Sequence, residues 1–379
     1  MAGLLRSRHR KDASGAAADA HTVLAPGVAT CWPQHVVVER SRRSPWWICV
    51  IVWAGWGLGG ALLTLSAQEA DASRQTPVDE ALLNADLPTL GGQQFWTDEF
   101  VYHDWRIQRH VLTNHYRLLD DANVRRAWGT REACRAAFDQ WRQESGLPPL
   151  SRRAVILLHG LVRSRQSMDA LCQYLRARGD WTVLNVSYAS SRGHVADHAA
   201  ALARVVDGLE SVEEVSFVGH SLGNLVIRHM LADRAAVPDG PGPRWGRIVM
   251  LAPPNRGAEM ARAFRSNPLF QAVWGEPGLE LAKDWSQLAA RLAVPSCEFG
   301  IVAGGTGTDV GRNPWLAGDD DFVVTVAETK LPGAADFRRV ACLHGTIMED
   351  PEVHQLTCRF LQTGCFTTPD ERQPILGAE

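Results

Sequence analysis

The chain has no basic excess, no zinc-type cysteine spacing and no internal repeat. Its 39 Lys and Arg stand against 42 Asp and Glu, a formal net charge of −3. Nucleic-acid binders carry the opposite bias, so no nucleic-acid partner is expected. None of the eight cysteines forms a C-x-x-C or a Cys/His cluster, and no metal site is indicated. A dinucleotide signature is also missing: Gly55, Gly57 and Gly60 match G-x-G-x-x-G but lie inside an apolar run, not between a strand and a helix. Apolar residues are not scarce. They make up 45% of 379 residues, which excludes wholesale disorder and suits one large α/β domain with additions.

One absence is local. No charged residue occurs between Arg43 and Glu69, and Trp46 to Ala67 reads WWICVIVWAGWGLGGALLTLSA. At a helical rise of 1.5 Å this run extends roughly 33 Å, enough for a hydrocarbon core of about 30 Å. Residues 1–45 hold seven Lys/Arg against three Asp/Glu, a local +4 that leaves −7 for the rest. Arg40, Arg42 and Arg43 precede the run and only Arg74 follows closely, so the positive-inside rule puts residues 1–45 in the cytoplasm and the rest outside. The expectation is a transmembrane anchor at 46–67 with the catalytic part extracytoplasmic. A signal peptide cleaved near Ala70-Asp71-Ala72, giving a secreted protein, is the alternative, and a buried core helix is a third reading. Six cysteines follow this segment: Cys134, Cys172, Cys297, Cys342, Cys358 and Cys365. An oxidising compartment permits disulfides among them, but buried thiols fit equally and the sequence does not choose.

Residues 68–92 read as a polar linker with Pro77, Pro88 and Gly91-Gly92. Phe95, Val101, Trp105 and Leu112 recur at helical spacing, and two helices are expected over 95–143, ending near Ser145-Gly146. The domains expected are thus a tail (1–45), an anchor or signal segment (46–67), a linker with a helical extension (68–150), a catalytic domain (151–365) and a C-terminal tail (366–379). Within 151–365, short apolar runs at 154–158, 182–186, 215–218, 248–251 and 298–302 alternate with helical periodicity at 166–178, 195–209 and 222–236. That alternation predicts a mostly parallel sheet with helices on both faces. Ligands bind such sheets outside the carboxyl ends of the strands.

The chemistry is found there. Gly219-His220-Ser221-Leu222-Gly223 follows the third run and fits G-x-S-x-G, a tight strand-to-helix turn. The two glycines would leave room against the adjoining strand and helix. A serine hydroxyl needs a base, and in this architecture the order is serine, acid, histidine. His344 follows the strand-like 338–343, whereas His354 falls within a helix at 351–363 and reads as a surface residue. The acid candidates are Asp309, Asp319, Asp320 and Asp321. Asp321 is favoured because it abuts the apolar Phe322-Val323-Val324 and is the easiest to anchor; three consecutive Asp could equally form a solvated turn. Backbone N–H groups of Leu222 and Leu161 are expected to hold an oxyanion, with His159 as a structural hydrogen-bonding residue.

The segments LLHGL, VGHSLG, LAPPNRG, GDDDFVVTVAETKLPG and CLHGTIM, in that order, resemble the α/β-hydrolase superfamily, above all its bacterial lipase and esterase-like members. The resemblance spans roughly residues 150–365. It implies ester hydrolysis through a Ser–His–Asp triad and an acyl-enzyme, on ester or lipid substrates, without a metal or organic cofactor. By that match Asp321 takes the acid position, but Phe322 stands where the family commonly has Gly, which keeps Asp319 and Asp320 in play. A non-catalytic binding module of the same fold, or an amide or thioester hydrolase, are the alternatives. Met260, Phe264, Leu269, Phe270, Val273, Trp274, Leu281, Trp285 and Leu288 make 256–294 apolar, either as an acyl pocket or lid or as buried faces of two cap helices.

Overall fold

A computed structural model describes residues 87–89, 94–236 and 242–377. The tail, the expected membrane segment at 46–67 and most of the linker lie outside the described residues. Among the described residues no helix is long and apolar enough to cross a membrane.

The first described elements are strands: β1 (Leu87–Pro88), β2 (Trp96–Tyr102), β3 (Trp105–His110), β4 (Tyr116–Leu119) and β5 (Val124–Gly129). They form an antiparallel sheet in the order β1-β5-β4-β3-β2. One helix, α1 (Arg131–Ser145), follows. Two helices were expected over 95–143, so this is a correction. The physical reason is that β2 is buried along its whole length, which removes the polar-apolar alternation that marks a strand. The turns carried the signal instead. Tyr102 pairs with Trp105 across a two-residue turn. His103, Asn114 and Asn123, in the turns after β2, β3 and β4, take φ of 51°, 57° and 62°. Helix α1 starts on the Thr130 side chain, which accepts from Ala133 N at 3.2 Å, and ends on Gly146 with φ 61°. Its Phe138 packs on Phe100 with ring centroids 5.0 Å apart.

The apolar runs form β6 (Arg153–Leu158), β7 (Thr182–Val186), β8 (Glu214–His220), β9 (Arg244–Leu251), β10 (Phe299–Gly304) and β11 (Asp336–Val340). These six strands are all parallel, in the order β11-β10-β9-β8-β6-β7. Between them run α2 (Asp169–Arg176), α3 (Val195–Asp207) and α4 (Leu222–Ala235), then a cap of α5 (Glu259–Ala263), α6 (Pro268–Ala282) and α7 (Trp285–Ala289). The short α8 (Val326–Thr329) and the long α9 (Pro351–Thr363) complete the α-helices among the described residues.

Side chains of each parallel strand divide between two cores. Ile156, Phe217, Met250 and Ile301 face α3, α4 and the antiparallel sheet. Val155, Leu157, Val218, Val249 and Val302 face α2 and α9. Each such side chain, fully buried, contributes roughly 1.5–3 kcal/mol relative to exposure. This is the expected α/β architecture with a parallel sheet covered on both faces. The chain leaves β6 toward β7 on one side and returns to β8 on the other, so the loops after β6 and β8 diverge and open a crevice at the strand ends. The six cysteines after residue 130 are free thiols; Cys297 is half-buried and the others are buried.

Candidate active site

The turn from β8 to α4 puts Ser221 at φ 50°, ψ −120°, outside the regions an L-residue normally occupies. Two glycines make the turn sterically feasible. A Cβ on Gly219 would lie 2.9 Å from the Asn224 amide nitrogen, and one on Gly223 would lie 2.7 Å from the Leu158 carbonyl oxygen. Helix and neighbouring strand both crowd the turn, as the motif predicted. Ser221 N donates to the Leu251 carbonyl at 2.9 Å, which ties the turn to β9. The buried Asn224 side chain donates to the Ser221 carbonyl at 3.1 Å and to that of Leu251 at 3.3 Å. Asn224 was not singled out from the sequence; an amide in the first turn of an otherwise apolar helix was the available signal.

His344 comes from the loop after β11. Its Nε2 lies 2.9 Å from Ser221 Oγ and its Nδ1 2.8 Å from Asp321 Oδ2. The His344 main-chain N also donates to the Asp321 carbonyl at 2.9 Å. Asp321 is fully buried, and its other oxygen accepts from Val323 N at 3.0 Å and Val324 N at 2.7 Å. These bonds fix the carboxylate's direction and satisfy a charge that burial would otherwise penalise.

The structure therefore brings Ser221, His344 and Asp321 together and sets the other candidates apart. Asp319 accepts from Thr306 and Gly307 amides, the Thr306 hydroxyl and Arg339. Burial works against its ionisation, but those donors prevail and hold its pKa below the ordinary value. Asp320 accepts from Phe322 N at 2.7 Å and Asn313 N at 3.1 Å. Both carboxylates hold the loop in shape, and Asp309 is exposed. Asp320 and Asp321 are fully buried, so the run is no solvated turn. Phe322 has φ 86°, the left-handed region in which glycine is comfortable, which accounts for the glycine expected there. His354 is not a surface residue, a second correction: it is buried, with Nε2 2.8 Å from the Met348 carbonyl oxygen and its ring against Tyr174.

Leu161 and Leu222 flank Ser221. Leu222 opens α4, in the first turn, where N–H groups lack helix partners. Leu161 follows Gly160, whose Cβ position would be 3.1 Å from Ser221 Cβ. The peptide joining them is oriented by His159. The main-chain N of Tyr188 can only donate, and it does so to His159 Nε2 at 3.3 Å. Nδ1 must then carry the proton, which it donates to the Gly160 carbonyl at 2.9 Å. Since C=O and N–H of a trans peptide point opposite ways, this bond turns the Leu161 N–H away from His159. Burial pushes the His159 pKa down to about 4, which keeps it neutral. Tyr188, whose hydroxyl donates to the His159 carbonyl at 2.6 Å, was missed from the sequence although it follows a strand end.

The cap is divided between the two readings of 256–294. Phe270, Leu281 and Leu288 are buried in the core, whereas Leu269 and Val273 are 63% and 42% exposed. Helix α6 is kinked at Gly275 (φ 61°), where a Cβ would sit 2.0 Å from the Ser191 carbonyl oxygen. On the other side of the kink, a Cβ on Gly278 would lie 3.6 Å from Leu161 Cδ2, so the cap abuts the loop after β6.

Residues 151–242 match a family model described as "Putative serine esterase (DUF676)". Among solved structures, the chain is similar to the mature lipase BlEst2 of Bacillus licheniformis, with 15% identity and a TM-score of 0.42 over 58% of this chain and 94% of that one. It is also similar to the metagenomic carboxyl esterase MGS0156, with 18% identity and a TM-score of 0.39 over 53% of this chain and 68% of that one. The phospholipase PlaB of Legionella pneumophila matches with 20% identity and a TM-score of 0.36 over 47% and 45% of the two chains. No curated protein sequence matches the chain. The resemblance read from the motifs is borne out over residues 151–242, at the level of a "Putative serine esterase".

Proposed function

We propose that the protein is a serine carboxylic-ester hydrolase in which Ser221 is the nucleophile, His344 the base and Asp321 the acid. What carries this reading is the continuous hydrogen-bond chain from Ser221 Oγ through His344 to a buried carboxylate, with spacings of 2.9 and 2.8 Å. The Nδ1–H of His344 is donated to Asp321, which leaves Nε2 free to accept the serine proton. Ser221 Oγ attacks the ester carbonyl as its proton passes to His344 Nε2. The resulting oxyanion is met by the N–H groups of Leu161 and Leu222, while Asp321 stabilises the imidazolium without taking the proton. The imidazolium then protonates the departing alkoxide as the C–O bond breaks, leaving an acyl-enzyme. Water, deprotonated by His344, releases the acid and restores the serine.

An apolar acyl group is supported by exposed apolar residues adjacent in the chain to the oxyanion donor, the acid and the base. Val162, Phe322 and Leu343 are 42%, 47% and 43% exposed, next to Leu161, Asp321 and His344. With the uncharged run at 46–67, this favours an ester or lipid substrate met by an enzyme tethered to a membrane, its catalytic part extracytoplasmic. The test is hydrolysis of activated esters of increasing chain length by wild type and Ser221→Ala, with fluorophosphonate labelling. Wild type is expected to label at Ser221. The variant should neither label nor turn over above roughly one part in a million of wild type. Full activity in Ser221→Ala would sink the assignment.

A further inference from the structure

His220 precedes the nucleophile and has no place in the proton path from Ser221 to Asp321. It is nonetheless buried where the three loops around Ser221 converge. Its Nε2 lies 3.0 Å from the main-chain oxygen of His344. A carbonyl only accepts, so Nε2 carries the proton and Nδ1 is left as an unprotonated acceptor. Nδ1 is buried without a hydrogen-bond partner. What it faces is the loop after β6: a Cβ on Gly160 would come 2.8 Å from it. The lack of a side chain at Gly160 is what leaves room for the His220 ring on this side. The His220 and His344 rings lie 4.9 Å apart, tilted by 48°. Burial, followed by the charges of His344 and Arg163, holds the His220 pKa well below the ordinary value, so the ring stays neutral beside an imidazole that becomes cationic during turnover.

We propose that His220 is a positioning residue: its Nε2–H grips the His344 main chain and ties the loop carrying the base to the turn carrying the nucleophile. This inference rests on the hydrolase reading above. Apart from the Nε2 contact with Ser221, the other anchors of His344 come from one side, since its amide and its Nδ1 both bond Asp321. Those bonds orient the ring but leave its approach to Ser221 open to a swing of the whole loop. The His220 bond closes that freedom from the side of the elbow. Gly160 belongs to the same arrangement, because any side chain there would displace the His220 ring.

The experiment compares wild type, His220→Leu and His220→Gln on one activated ester and with a fluorophosphonate. Leu fills the space without a donor, whereas the Gln amide can restore a donor near the Nε2 position. The expected outcome for His220→Leu is a fall of about tenfold to a hundredfold in kcat and in Ser221 labelling rate, the scale of a small misplacement of reacting groups. KM should stay near the wild-type value, because no substrate contact is lost. His220→Gln should recover most of both rates. The downfield proton resonance of the His344–Asp321 bond should broaden in His220→Leu and persist in His220→Gln. If His220→Leu does not fold, His220→Asn replaces it, its amide being too short to reach. Wild-type rates in the donor-less variant, a loss confined to KM, or no rescue by Gln would each overturn the proposal. If wild type labels normally and only these comparisons fail, His220 alone is misassigned. If wild type itself does not label at Ser221, the hydrolase reading fails and this inference falls with it.

Discussion

At the carboxyl ends of the parallel strands, Asp321, His344 and Ser221 are buried polar groups arranged in a line that ends on a hydroxyl. Inside the antiparallel sheet, Asp98, Arg106, Gln108 and Arg117 are equally buried but close on one another. Asp98 accepts from Gln108 Nε2 at 2.7 Å and from Ser187 N at 2.6 Å, while Gln108 Oε1 accepts from Arg117 Nε at 3.0 Å. Arg106 bonds Asn123, and burial pushes the pKa of Arg106 and Arg117 down to about 10. In both regions most buried polar groups find partners, the exceptions being His220 Nδ1 and Asn224 Oδ1 in the first and Arg106 Nε and Nη1 in the second. In the first, the backbone satisfies the carboxylate and the line is left open at one end. In the second, side chains satisfy side chains, and the spare capacity goes to bolting the sheet onto the segment after β7. Loss of a member should therefore cost rate in one region and stability in the other.

The sharpest break would come from Asp321→Asn. The amide would favour the wrong imidazole tautomer, and kcat should fall about ten-thousandfold with little change in thermal midpoint. A loss below tenfold would place the working carboxylate elsewhere. In the other region, Asp98→Ala strands the Ser187 amide and Gln108 and removes the carboxylate charge felt by the buried Arg106. Denaturant unfolding should register a cost of about 3–5 kcal/mol, with kcat per folded molecule unchanged. If activity fell while stability held, the two regions would not be separable in this way.

Acid provides a third comparison. His159 and His198 have pKa values held down to about 4 by burial, and that of His220 is held well below its ordinary value. The folded state keeps these rings neutral, whereas the unfolded chain binds protons below about pH 6.5. Their stabilisation is complete above that pH and is lost as pH falls toward 4, by up to about 1.4 kcal/mol per pH unit for each ring. Asp98, whose pKa burial raises, acts with the opposite sign at the acid end. Urea midpoints at pH 7, 6 and 5 should fall progressively, and substituting His159 by Gln should flatten the slope. The smallest effect is expected at Phe322. Relief of its positive φ in Phe322→Gly should raise stability by about 1 kcal/mol, read as a modest rise in thermal midpoint. The side chain is 47% exposed, so little packing is given up.

The parallel region was largely legible in the sequence because its strands are short apolar runs and its chemistry follows them. The run at 182–186 became β7 with the same limits, and Ser221 and His344 stand just beyond strand ends. Asp321 could only be favoured over its neighbours, since the choice depends on which carboxylate the backbone turns toward His344. The antiparallel region was misread. Phe95, Val101, Trp105 and Leu112 fit helical spacing, while Asp98, Glu99 and Arg106 break the apolar pattern although they are buried in the sheet. Glu99, for instance, accepts from Arg109 and from Arg204 of α3. Such long-range pairing leaves no local periodicity to read.

The bond between Asp98 and Ser187 spans 89 residues, and it fixes an order of events. Neighbouring strands of the meander can meet as soon as they emerge from the ribosome, because their turns are short. One oxygen of Asp98 and its main-chain N–H, however, must wait until β7 has been synthesised and Ser187 follows it. Strand β2 thus consolidates only after β7, and a chain halted before residue 187 would carry a sheet whose β2 edge still lacks its acceptor and donor.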